Sequence, residues 1–326
     1  MDFHAEFFPK PFLKKIDHKS KLLLVGSCFT EQIGNKLAAH KFNVLENPNG
    51  ILFNPISIAH AVVSYAAGKK YEEEELFYHN ELWGSWQHHT KFSNIEKAKV
   101  LEMINRSQEK AWSFTKEADW ILVTLGSAFV YENTDTDNRS VVANCHKVPA
   151  DKFYRRLLDA TEVKSTLLAM METVRTVNPS VNFIFTISPV RHLREGFIEN
   201  NRSKAALIQA VHSLTDNESV FYFPAFELVI DDLRDYRFYA EDMVHPNYAA
   251  TNYVWEKFIA TCISGQSQQL MKEIAVVMAA KNHKPFNPAS EQHKKFMQTN
   301  FDKVIKLRQQ YPYLDLGGEL IFFGNE

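Results

Sequence analysis

Cysteine is scarce and scattered: Cys28, Cys145 and Cys262 are all that the 326-residue chain contains, and no two of them form a C-x-x-C pair. An odd, small number spread this widely argues against a disulfide framework and against a structural zinc site. An excess of one charge is also missing, because 37 Lys and Arg stand against 39 Asp and Glu, for a formal net charge of −2. That balance leaves no electrostatic footprint for nucleic acid or an anionic membrane surface. No stretch approaches the roughly 20 apolar residues that span a bilayer. The N-terminus carries Asp2, no basic run and no apolar run, so it does not read as a signal peptide and a cytoplasmic setting is expected. Internal repeats and low-complexity linkers are lacking too. No spaced set of histidines and carboxylates suggests a metal site, so no cofactor is expected.

With 45% hydrophobic and 23% charged residues, the chain has the composition of a globular protein with a large core. Its organising stretch is Leu22-Leu-Leu-Val-Gly-Ser-Cys-Phe-Thr-Glu31. An apolar run stops at Gly26 and an amphipathic pattern starts with Phe29, Ile33 and Leu37, which describes a buried strand feeding a helix through a tight turn. The turn offers two nucleophiles, Ser27 and Cys28, where helix N-terminal amides favour developing negative charge. It reads as a catalytic elbow; the same residues would also serve as a plain turn with a buried structural cysteine.

Along the chain, apolar strands alternate with helical patterns. Strands are expected at Phe42–Glu46, Asp119–Gly126, Val181–Ser188 and Ser219–Phe223, with helices at Ile56–Ala67, Asn94–Thr115, Asn200–Leu214 and from Tyr248 onward. This repetition indicates an α/β fold with a parallel sheet covered on both faces. Loops at the carboxyl ends of such strands tend to hold ligands, which draws attention to Asn47-Pro-Asn-Gly50 and its glycine. Leu76 to Phe92 turns at His79-Asn80-Glu81 and suggests an inserted aromatic hairpin. Trp83, Trp86, His88 and His89 would line a pocket there or simply pack. Arg139–Ala143 suggests a further strand, after which Asn144 and His146 alternate around Cys145 and would share one face of an extended segment. Asp151 is expected to cap a long helix reaching Val177. Asp242 and His245 stand three apart just before a helix that Pro246 helps to start, a spacing that lets a carboxylate hold one imidazole nitrogen and leave the other for a proton. From Ser264 onward the pattern is helical and charged, so the expected division is an α/β domain over residues 1–263 and a helical extension over 264–326, packed on the core or on a partner.

Gly26-Ser-Cys-Phe29, Asn144-Cys-His146, Ser188-Pro-Val-Arg-His192 and Asp242-Met-Val-His245 together resemble the GSCFA family, within the SGNH (GDSL-like) hydrolase superfamily, over roughly residues 20 to 260. The resemblance implies a flavodoxin-like three-layer α/β/α sandwich and a triad of nucleophile, His245 and Asp242. Cys28 aligns with the nucleophile and Ser27 is the alternative. At a helix N-terminus beside His245 its thiol would have a lowered pKa. Gly50 matches the second-block glycine. The third block appears as Gly126-Ser-Ala-Phe129 and lacks the asparagine, for which Asn144 is the substitute. Losing one oxyanion donor costs about 3 kcal/mol. His146, Trp86, His88, His89, Arg191 and His192 complete the expected pocket. The implied activity is that of an esterase, deacylase or acyltransferase on a small-molecule or carbohydrate-linked ester. The rival is a ligand-binding module on the same fold without turnover. A second copy of the chain remains open as a partner. The turn lacks G-x-G-x-x-G and G-x-x-x-x-G-K-[ST], which disfavours a nucleotide-binding protein.

Overall fold

The structure, a computed structural model, describes residues 5–135 and 139–324. Its strands are β1 (Lys21–Gly26), β2 (Asn43–Glu46), β3 (Leu76–His79), β4 (Leu82–Ser85), β5 (Trp120–Leu125), β6 (Phe129–Asn133), β7 (Phe153–Leu157), β8 (Asn182–Ile187) and β9 (Val220–Tyr222). Five of them form one parallel sheet in the order β2-β1-β5-β8-β9. Counting only these five along the chain, the order is 2-1-3-4-5, the flavodoxin-like arrangement, whose crevice opens between the first and third strands at their carboxyl ends.

The helices are α1 (Cys28–Ala39), α2 (Pro55–Ala67), α3 (Lys97–Thr115), α4 (Ala160–Val177), α5 (Phe197–His212), the short α6 (Ala225–Glu227), α7 (Tyr248–Cys262), α8 (Gly265–Lys281), α9 (Glu291–Gln310) and α10 (Gly317–Gly324). Strand side chains alternate between two cores, as a pleated sheet buried on both faces requires. Leu23, Val25, Ile121, Val123, Phe183 and Phe185 pack against α2, α4 and α5, whereas Leu22, Leu24, Trp120, Leu122, Ile184 and Phe221 pack against α1 and α7. The result is a three-layer α/β/α sandwich. Among the described residues no helix is long and apolar enough to cross a membrane.

The expected hairpin forms as β3 and β4, paired antiparallel, and Asn80 and Glu81 between them both take positive φ, the combination of a type I′ turn. Residues 139–157 differ from expectation. Val141 makes only an isolated bridge to Glu132, and β7 pairs antiparallel with β6 where the start of a helix was expected. The helix waits for Asp159, whose side chain accepts from Thr161 N and Glu162 N while Glu162 returns to the Asp159 amide. This reciprocal box satisfies orphan helix amides, whereas Asp151 lies within a single 3₁₀ turn.

Helices α8, α9 and α10 share a separate core built from Leu270, Ile274, Val304, Leu307 and Phe323 among others. They lean on the sandwich through Met271, through Ser264 N donating to Ile16 O, and through Lys41 paired with the buried Glu319 at 2.7 Å.

Candidate active site

The turn after β1 is built by close approach. Gly26 has φ +149°, and a Cβ there would lie 2.3 Å from the Thr124 carbonyl oxygen of β5. Its amide donates to Asn47 Oδ1 at 2.9 Å and its carbonyl accepts from Leu52 N at 3.0 Å, so the elbow is tied to the Asn47–Leu52 loop. Ser27 follows as the N-cap of α1 and is 0% exposed, and its Oγ lacks a hydrogen-bond partner among the described residues. Cys28 opens the helix and is partly exposed. Burial pushes its thiol pKa up; the amides of Cys28 and Phe29 and the charge of Lys204 pull it down, and Glu31 adds to the rise. The lowered thiol pKa expected from the helix N-terminus is therefore not found, because desolvation outweighs the amides.

Asp242 and His245 sit on the loop that precedes α7. His245 Nδ1 lies 2.7 Å from Asp242 Oδ2, while Asp242 Oδ1 accepts from Val244 N at 2.9 Å and from His245 N at 3.0 Å. These bonds from His245 and Val244 hold the Asp242 carboxyl down at about 2. Nδ1 consequently carries the proton, and Nε2 is the nitrogen left for a substrate or a nucleophile. Arg191 braces this loop: its amide donates to Val244 O at 3.2 Å, its guanidinium reaches Met243 O at 3.4 Å, and it covers the Tyr239 ring at 4.0 Å. It acts on the loop rather than as a free anion anchor.

His192 follows on the same segment. Its amide donates to Asn200 Oδ1 at 2.9 Å, its ring meets Phe53 edge-on, and its Nε2 is buried with no hydrogen-bond partner among the described residues. Burial, then the charges of Lys204 and His245, push the imidazole down to about 3. The elbow follows β1 and the Arg191–His192 segment follows β8, both at carboxyl ends of the parallel strands, and the Arg191 amide ties the 242–245 loop to that segment. Elbow, histidine pair and Asp242 thus gather at one carboxyl edge of the sheet.

The other expected residues divide differently. The Gly50 amide, with φ +80°, donates to Asn47 O at 2.7 Å and is already engaged as an oxyanion candidate. Asn144 Oδ1 accepts from His146 N at 2.8 Å, and His146 and Lys147 both have positive φ. The segment is a turn rather than extended, so Asn144 and His146 do not share a strand face. His146 Nε2 lies 2.9 Å from Ser85 O and 3.1 Å from His88 O, which binds it to the hairpin. Trp86 stacks on Phe77 at 3.8 Å. His88 is buried, contacts Ser85 Oγ at 2.9 Å, and is pushed down to about 3 by burial. Both are packing elements of the hairpin. His89 faces the loop, donating its amide to Asn49 O at 2.8 Å with its Cβ against Gly50. Beside the hairpin, a pocket of about 310 Å³ is lined by Phe77, His79, Ser93 and His146 with their neighbours. A larger groove of about 660 Å³ lies away from this edge, between residues 7–13 and the β9 side.

One residue of the site escaped the sequence reading, and another was seen there only as part of a loop. Asn47 shapes the elbow through Gly26, and Lys204 is fully buried beneath the strand ends. A signal existed for the lysine: the buried stripe of α5 runs Asn200, Ser203, Lys204, Leu207, Ala210 and Val211, which places a charge on an apolar face.

At the end of β2, burial and the neighbouring Glu31 push the Glu46 carboxyl up to about 7, with Lys91 opposing. Its folded-state pKa is raised, so the folded chain binds more protons than the unfolded one between about 4.5 and 7, and stability contributed here is lost as pH rises through that window. Glu46→Gln is expected to raise the thermal midpoint at pH 8 by a few degrees, on the order of 1 kcal/mol once partial exposure is discounted. At pH 4 the variant and wild type are expected to coincide; an equal gain at both values in differential scanning fluorimetry would sink this account.

Comparison with known families gives a match to the model of the GSCFA family over residues 21–258, and to that described as "GSCFA domain protein, C-terminal domain" over residues 274–326. No curated protein matches. Among solved structures, a carbohydrate esterase family 3 protein from Talaromyces cellulolyticus is 12% identical, with 78% of this chain and 99% of that chain covered at a TM-score of 0.36. An acetyl esterase variant with acetate ion is 13% identical, with 78% and 99% covered at 0.37. An acetyl xylan esterase from the rumen bacterium Butyrivibrio proteoclasticus is 12% identical, with 74% and 63% covered at 0.37.

Proposed function

The chain belongs to the GSCFA family, and from that premise we propose that it is an acyl-transfer enzyme, an esterase or deacylase, acting on a small or carbohydrate-linked ester through Cys28, His245 and Asp242. The observation that carries this reading is the 2.7 Å contact of His245 Nδ1 with Asp242 at the same sheet edge as a strand-to-helix elbow. Exposure favours Cys28 over Ser27, because Ser27 is 0% exposed whereas Cys28 is partly exposed. Burial keeps the resting thiol protonated, so attack requires a base.

In the proposed sequence, His245 Nε2 takes the Cys28 proton as sulfur attacks the ester carbonyl carbon. The oxyanion forms beside the helix α1 amides. Collapse breaks the bond to the alcohol oxygen, which receives the proton from His245 and leaves a thioester on Cys28. Water, or an acceptor alcohol in a transferase, then gives its proton to His245 and attacks the thioester, releasing the acid or new ester and restoring the thiol. Asp242 holds the imidazole in the required tautomer throughout. His192, with its unpartnered Nε2, and His89 beside Gly50 are the remaining substrate contacts in this reading. The chemistry is assigned to residues 1–263, and a packing role to the 264–326 extension.

A binding module without turnover is the second reading, favoured by the engaged Gly50 amide and the absent third-block asparagine. Intact-mass spectrometry after p-nitrophenyl acetate separates the two. An acetyl adduct is expected on wild type and Ser27→Ala and absent from Cys28→Ala; the reverse pattern overturns the cysteine assignment. Thermal stabilisation by a ligand with no adduct on any folded variant supports the binding module.

A further inference from the structure

Lys204 is a buried lysine with no carboxylate partner among the described residues. It lies on α5, 2% exposed, and its Nζ donates to Gly126 O at 2.6 Å and to Ser188 O at 2.7 Å. Those carbonyls end β5 and β8, so the amine sits at the floor of the crevice between strand ends. Ammonium groups are almost never buried unpaired, because carbonyl dipoles alone do not replace lost hydration. The groups that face it from the surrounding elements are few. Ser27 N, one residue before Cys28, donates to Thr124 O of β5 at 3.2 Å, two residues before Gly126, which brings the start of α1 beside the amine; the His192 Nε2 lies 3.1 Å from where a Gly126 Cβ would stand, and the Phe226 ring of α6 is 5.9 Å from Nζ. Among the described residues that act on this amine, only the thiol of Cys28 can supply a negative charge. His192, kept neutral by burial, cannot.

We propose that Lys204 is a positioning residue of this site: it is the amine that becomes the ammonium counter-charge when Cys28 loses its proton. The inference rests on Cys28 being the nucleophile. A neutral amine uses its two N–H bonds on Gly126 and Ser188 and needs no ion partner, so above about pH 7 the resting pair is uncharged. Once sulfur has given its proton to His245, a second proton taken up by Lys204 from solvent completes a buried ion pair and offsets the desolvation of both groups. Its pKa of about 7, lowered by burial and supported by Cys28, allows that exchange near neutral pH. On Cys28 itself Glu31 acts in the opposite direction, which gives Lys204 a repulsion to counter.

The test is the rate of Cys28 alkylation by iodoacetamide against pH, mapped by peptide mass spectrometry so that Cys145 is read separately. Lys204→Met is expected to raise the midpoint of the profile by about one unit, a tenfold lower rate at pH 7.5. Lys204→Arg, with permanent charge and retained donors, is expected to fall below wild type. The ordering Arg, Lys, Met from low to high midpoint supports the pairing, and any other ordering among folded variants overturns it. If Lys204→Met does not fold, the Arg variant decides alone: a midpoint equal to or above wild type overturns the proposal. His245→Ala separates the imidazole's share of the profile. Alkylation needs no ester turnover, so this ordering without p-nitrophenyl acetate hydrolysis counts against the acyl-transfer reading alone.

Discussion

His245→Ala is expected to reduce p-nitrophenyl acetate hydrolysis by roughly 10³- to 10⁶-fold, the range seen when one member of a cooperating triad is removed. The reason is specific to this site. Burial pushes the Cys28 thiol pKa up, so attack by Cys28 in the proposed reaction depends on a base more than attack by an exposed cysteine would. Asp242→Asn is expected to cost less, about 10²- to 10⁴-fold, because an amide at the position 2.7 Å from Nδ1 favours the wrong tautomer while leaving the imidazole in place. The fall is expected in kcat and kcat/KM together, with KM little changed. His245→Ala protein that is folded and retains a tenth of wild-type turnover would sink the triad reading. Both residues are about half exposed, so neither substitution is expected to threaten the fold.

Gly26→Ala is expected to have the largest effect on stability, roughly 3 kcal/mol or more, from backbone strain combined with a steric clash. Its φ of +149° excludes comfortable placement of any other residue, and the added Cβ would meet the Thr124 backbone at 2.3 Å, where β5 has no room to retreat without breaking its pairing to β1. In thermal unfolding this corresponds to a midpoint lower by about 5–10 °C. A folded Gly26→Ala protein with an unchanged midpoint would refute the close approach and, with it, the geometry of the elbow.

Local patterns accounted for much of this chain. The apolar run from Leu22 to Val25, the positive-φ pair Asn80-Glu81 and the Asp242-x-x-His245 spacing each express chemistry within a few residues, and each forms as its neighbours suggest. The expected helix start at Asp151 gives way to one at Asp159, although the Asp159-x-x-Glu162 capping box is itself a local signal. Only the second has its reciprocal Glu162 and releases the preceding residues to pair with β6. The Asn144–His146 segment differs from expectation for another reason: an extended chain and a turn of positive φ share the same alternation in sequence.

The sequence by itself determined the α/β class, the strand that ends at Gly26 and the pairing of Asp242 with His245, because hydrophobic period, glycine and short-range spacing are properties of neighbouring residues. Tertiary structure decided the remainder. It buried Ser27 and left Cys28 partly exposed, since only the packing of α1 on the sheet sets which side of a turn meets solvent. It removed Trp86, His88 and His146 into hairpin packing and engaged the Gly50 amide, choices made by partners far away in the chain. It also brought Lys204 beneath the ends of β5 and β8. A buried charge takes its meaning from what surrounds it in space, and that surrounding exists only once the sheet has closed.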